Sequence, residues 1–160
     1  MKLRPPSFLA STLALAVLAV AAGGAIAQQA PKPEVLIKSR QSAFQLVAFN
    51  SGRIKSNLEG TYNKDEVIKA SNTIAAIANS GLGALFAPGS ETGKGWHDTS
   101  AKPELFKDLK KFAELGGSFS KEATELSKVA AGGDVAAIKE QYAKLSRTCK
   151  ACHDDFKSKD

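Results

Sequence analysis

DVAAIKEQYAKLSRTCKACHDDF, residues 134 to 156, is the stretch whose reading decides the fold. Val135, Ile138, Tyr142, Leu145, Cys149, Cys152 and Phe156 recur in it at spacings of three and four. That period is the seam of a helix that faces other helices, and Asp134 stands where a cap is needed. The chain's only two cysteines lie on the inward face, and His153 directly follows the second.

The helical period continues upstream. Pro33 and Glu34 suit a first helical turn, and Ile37, Phe44, Val47, Ser51, Ile54 and Leu58 form an apolar stripe that runs to Gly60. Asn63 with Glu66 reads as a capping box, opening a second stripe of Val67, Ala70, Ile74, Ile77 and Ala78 that ends at Gly81. The glycine-rich piece from 81 to 102 excludes regular structure. Pro103 and Glu104 open a third helix, with Leu105, Leu109, Phe112, Phe119, Ala123, Leu126 and Ala130 on its buried face. Gly116-Gly117 costs that helix about 1 kcal/mol per glycine and marks a kink or a close approach. Four helices, one long connection and no strand pattern predict an all-α, antiparallel four-helix bundle.

The opposite end of the chain indicates export. Lys2 and Arg4 precede an apolar run from Phe8 to Ala22, and Ala25-Ile26-Ala27 has the small-x-small form of a signal-peptidase site. Residues 1–27 are expected to be a cleaved signal peptide and 28–160 the bundle, with no membrane segment left after cleavage. Cleavage removes two of the 22 basic residues, leaving 20 against 16 acidic, a charge of +4. Lysines are scattered and no aromatic platform accompanies them, so nucleic-acid binding is unsupported.

Three chemistries fit CKACH. A disulfide between Cys149 and Cys152 would close a very small loop inside a helix and add little stability. A zinc site needs about four ligands, and only His97 could add a histidine to Cys149, Cys152 and His153. A C-x-x-C-H motif is also the anchor for a c-type haem. There the two thiols add to the haem vinyl groups and His153 supplies the proximal iron ligand. The motif, its core-facing position and the export signal together favour one covalent haem c with its iron.

At this point the chain resembles the cytochrome c′ family, the class II c-type cytochromes. Ser39-Arg40-Gln41-Ser42-Ala43 is similar to the family's first-helix motif, and Phe86-Ala87-Pro88-Gly89-Ser90-Glu91 to its loop between the second and third helices. Lys102-Pro103-Glu104 is similar to its third-helix start, and SRTCKACHDDF to its haem-binding end. The resemblance implies thioether bonds at Cys149 and Cys152, His153 on the iron, Arg40 and Gln41 near the haem propionates, and Glu91 near the haem edge. It places Phe44 at the iron's sixth position and implies a homodimer packed through the early helices. Two positions depart from the family's habit: Lys157 stands where arginine is frequent, and Phe106 where tryptophan is frequent.

The sixth ligand decides the function. An ordinary cytochrome c carries His and Met as axial ligands, but the only methionine here is Met1, inside the expected signal peptide. His97 lies in the glycine-rich loop and reads as a surface residue. The expectation is five-coordinate iron with an apolar distal wall, suited to nitric oxide and carbon monoxide more than to dioxygen. The function expected is a periplasmic gas-binding haem protein capable of one-electron redox. The alternative is an electron carrier between periplasmic redox partners. A peroxidase-like enzyme is disfavoured, because no histidine or arginine is inferred on the distal side for acid–base work.

Overall fold

The computed structural model describes residues 30–158; the expected signal peptide, 1–27, lies outside the described residues. The first helix, α1, spans Pro33–Glu59, with Pro33 and Glu34 in its first turn, and closes where the Gly60 N–H donates to Ser56 O at 2.9 Å. The second, α2, spans Lys64–Ala78. Its cap is half of the expected box: Asn63 Oδ1 accepts from Glu66 N at 3.1 Å. The reciprocal bond is replaced, because Asn57 Oδ1 takes the Asn63 N–H at 2.8 Å and the Glu66 carboxylate turns to Arg53 and Asn57. The helix stops at Ala78, short of Gly81: after the last i−4 bond, from Asn79 N to Ala75 O, the Asn79 side chain shares that carbonyl and Ser80 N tightens onto Ile77 O three residues back.

A second expectation is corrected at Pro103. Pro103–Phe106 forms only a 3-10 turn, and the third helix, α3, spans Leu109–Gly132. Lys107 N bonds Glu104 O three residues back, and Asp108 supplies the true cap by accepting from Lys111 N at 3.0 Å. Leu105 is buried by the turn, but Leu109, read as core, is exposed at the start of the helix. Beyond the cap α3 runs unbroken through Gly116-Gly117. The fourth helix, α4, spans Val135–Phe156, with Asp134 accepting from the N–H groups of Ala136 and Ala137.

Each helix packs on the next, α1 on α2, α2 on α3 and α3 on α4, in the antiparallel four-helix bundle that the periodicity predicts. The dry core fills one half, where Ile54, Val67, Ile74, Leu126, Ile138 and Leu145 meet. At the border of that half Tyr142 joins α4 to α1. Its hydroxyl lies 2.8 Å from Ser51 Oγ and donates to Ser51 O at 3.1 Å.

Length then decides where the site sits. The second helix has 15 residues against 27, 24 and 22 for the others, so it covers only part of the bundle. At the other end its place is taken by the connection between α2 and α3, which carries a 3-10 turn at Leu82–Phe86 and the turn at Pro103–Phe106. A connection lacks a continuous apolar face, and the space there is left open between α1, α3 and α4. Among the described residues no helix is long and apolar enough to cross a membrane.

Candidate haem site

That open end is a cavity of about 950 Å³, at the upper limit for small-molecule and cofactor sites. Its α4 wall carries Cys149, Cys152 and His153, its α1 wall carries Phe44 and Val47, and α3 contributes Phe112, Gly116 and Phe119. Four rings form a chain along it: Phe44 to Phe86 at 6.3 Å, Phe86 to Phe112 at 4.9 Å and Phe112 to Phe156 at 6.2 Å between centroids. Such tilted and edge-on pairs are favourable aromatic arrangements, and they run from α1 across the connection to α3 and α4.

The donor set tests what the cavity suits. Burial pushes the Cys149 and Cys152 thiols up from their ordinary range, Asp155 adding to the effect at Cys152. Burial first, and then the Lys157 charge, push the His153 imidazole down. Both effects favour the uncharged imidazole, the form that ligates a metal. Among the described residues no cluster of three or more His, Cys, Asp or Glu side chains converges as an ion site. A zinc reading thus lacks its remaining ligand. Two thiols and an adjoining imidazole on one wall of a large apolar cavity fit a covalent c-type haem.

Each remaining candidate has a definite place. Arg40 lines the cavity yet is only 3% exposed. Its Nη1 donates to Leu85 O (3.2 Å) and Ser90 Oγ (2.8 Å), and its Nη2 to Ser90 O (2.7 Å) and Thr99 Oγ1 (2.6 Å). The two Nη atoms thus tie α1 to the connection, and burial lowers the guanidinium's pKa from its usual value while the Glu91 charge partly opposes that. Gln41 also lines the cavity, its Oε1 accepting from Trp96 N at 2.8 Å and its Nε2 donating to His97 O at 2.9 Å. Gly95 makes this clasp possible: a Cβ there would collide with Gln41 Oε1 and come within 2.8 Å of Lys38 N. Glu91 lies outside the cavity lining. Backbone hydrogen bonds from Glu91 itself and Gly89 hold its carboxyl below the usual range, Arg40 adding a smaller effect.

Phe44 lines the cavity and is 38% exposed, so it borders open space and is not part of the dry core. Lys157 ends α4, its N–H donating to His153 O at 3.1 Å, and it too lines the cavity. His97 is exposed, as its loop position suggests, and it also lines the cavity, with its Nδ1 2.8 Å from Asp98 O. One feature escaped sequence reading. The segment after His97 is fastened to the end of α4: Lys102 N donates to Phe156 O, Ser158 N to Ser100 O, and Lys102 Nζ to the carbonyls of Asp154 and Asp155. The only local signal for this was Lys102-Pro103-Glu104, which marks a start and not a partner.

A four-helix bundle with thiols and an imidazole walling one open end defines a class of haem-carrying bundles. The cytochrome c′ family model matches residues 35–157. A cytochrome c′ of Rhodocyclus tenuis is 62% identical over 130 residues, covering 81% of this chain and 98% of that protein. The crystal structure of cytochrome c′ from Thermochromatium tepidum superposes with a TM-score of 0.79 at 42% identity, over 81% of this chain and 99% of the other. A further cytochrome c′, described as having an unusual ligand-controlled dimer dissociation, superposes with a TM-score of 0.78 at 40% identity, over 81% and 98%. The chain belongs to the cytochrome c′ family. Its cofactor is accordingly one covalent c-type haem with iron.

Proposed function

We propose that this is a periplasmic haem protein that binds nitric oxide and carbon monoxide at an iron held on one side only, by His153. Cys149 and Cys152 would carry the thioether bonds. The bound haem supplies an iron that takes up a diatomic ligand and exchanges one electron. The observation that carries the reading is the pairing of walls: His153 on α4 and the apolar ring of Phe44 on α1 line one cavity. Phe44 has bulk and no donor, so it offers nothing to the partial negative charge that bound dioxygen acquires. The export signal at residues 1–27 supports the periplasmic assignment.

Stopped-flow carbon monoxide binding to the reduced protein tests the role of Phe44. Phe44→Ala should bind faster and more tightly than the parent, and equal rates would reduce Phe44 to a packing residue. Because the ring is partly exposed, its loss should cost less than the roughly 3–5 kcal/mol of a fully buried phenylalanine.

One observation favours a second reading. His97 lines the same cavity, and an imidazole in the sixth position would make the protein a six-coordinate electron carrier between periplasmic partners. The clasp of Gln41 on the His97 backbone and the contact of His97 Nδ1 with Asp98 O support a ring already engaged at the rim.

We also infer a homodimer. Val35, Leu46 and Phe49 are exposed apolar residues on α1 that a second copy could cover, and a related cytochrome c′ is described as having a ligand-controlled dimer dissociation. Sedimentation should give a dimer for the parent and a monomer for Phe49→Glu; a dimer that survives the substitution would place the interface elsewhere.

A further inference from the structure

Gly116 sits on the α3 stripe that faces the cavity, four residues after Phe112 and three before Phe119. Glycine in a helix interior is unfavourable relative to alanine, and the protein offers no reason for it here. Gly116 is not among the glycines with positive φ. A Cβ built on it meets nothing within 4 Å, so no neighbouring helix or side chain demands the space. Gly117 has the same freedom but does not line the cavity. Gly116 is exposed on the cavity wall, and its missing side chain leaves open space between the half-buried rings of Phe112 and Phe119. Once a cofactor fills the cavity, that space becomes interior, where close packing leaves no room for added atoms.

We propose that Gly116 is a haem-packing residue, whose absent side chain cedes its volume to the macrocycle. The proposal rests on the reading that the haem is anchored at Cys149 and Cys152. Gly117, one position round the helix, is then an internal control, since it shares the propensity penalty without the contact. A methyl group at 116 gains helix propensity and loses packing, because added atoms in a filled core force displacement. At 117 only the gain remains.

The test compares the holoproteins of the parent, Gly116→Ala and Gly117→Ala by thermal unfolding and by the Soret absorption and dichroism bands. Gly117→Ala should unfold at a higher temperature than the parent with unchanged bands. Gly116→Ala should unfold at a lower temperature with shifted bands. If Gly116→Ala is stabilised as Gly117→Ala is, with unchanged bands, the proposal is overturned. If Gly116→Ala yields no holoprotein, Phe119→Leu is added to it. Recovery of holoprotein is the expected result, because the crowding is relieved, and no recovery overturns the proposal. Acid–organic extraction of the parent tests the anchoring reading separately: haem in the organic layer overturns that reading and this one with it. Retained haem with a stabilised Gly116→Ala overturns only this one.

Discussion

Arg40 Nη1 donates to Ser90 Oγ at 2.8 Å, and Arg40 Nη2 to Ser90 O at 2.7 Å. One guanidinium on α1 thus holds the hydroxyl and the carbonyl oxygen of a fully buried serine fifty residues away. With Leu85 O and Thr99 Oγ1 it ties both flanks of the connection to the helix. Its charge also lies over the Phe86 ring, 4.9 Å from the centroid, the ring that links Phe44 to Phe112. The wall of the haem cavity that no helix supplies is held in place by this residue.

Arg40→Ala should therefore destabilise the protein by roughly 3 kcal/mol, the upper range for charge-assisted hydrogen bonds in a buried site. Arg40→Lys should recover only part of it, since an ammonium cannot reproduce the planar fork. Chemical denaturation gives the magnitudes. Amide hydrogen exchange should rise between 85 and 99 and stay unchanged in the Ile54–Ile74–Leu126 core. A uniform rise would mean that Arg40 supports the whole bundle and not the cavity wall.

Acid lability should be traceable to Glu66. Its carboxyl is held below the ordinary glutamate value, first by the hydrogen bond from Asn57 and then by that from Arg53. A carboxylate favoured in the folded state contributes stability that is complete above its unfolded value of about 4.3. That contribution is lost as pH falls through the lower folded value. Glu66→Gln should be less stable than the parent at neutral pH, and the gap should close on acidification through that window. Urea titrations at several pH values check this; a gap that persists in acid would assign the loss to packing.

Much of this was readable beforehand, and the reason is periodicity. The stripe from Val135 to Phe156 put Cys149, Cys152 and His153 on an inward face, and they line the cavity. Caps at Asp134 and Asn63 were legible because they depend on neighbours a few residues away. What was not legible depended on partners distant in sequence. Nothing local to Arg40 shows that Ser90, Leu85 and Thr99 accept hydrogen bonds from its guanidinium. His97 is exposed, as its loop position suggests, but the clasp by Gln41 that draws its segment to the cavity rim joins positions 56 residues apart and leaves no local trace. The start of α3 was misplaced because Pro103-Glu104 fits a 3-10 turn as well as a helix, and the Asp108 cap was overlooked.

The central claim is an iron ligated by the protein at His153 alone. Resonance Raman spectroscopy of the ferric and ferrous protein at neutral pH tests it most directly, through bands that report spin state and coordination number. The account predicts five-coordinate, high-spin iron in the parent and an unchanged spectrum in His97→Ala. A low-spin, six-coordinate parent that becomes high-spin in His97→Ala would contradict it, and would make His97 the sixth ligand of an electron carrier.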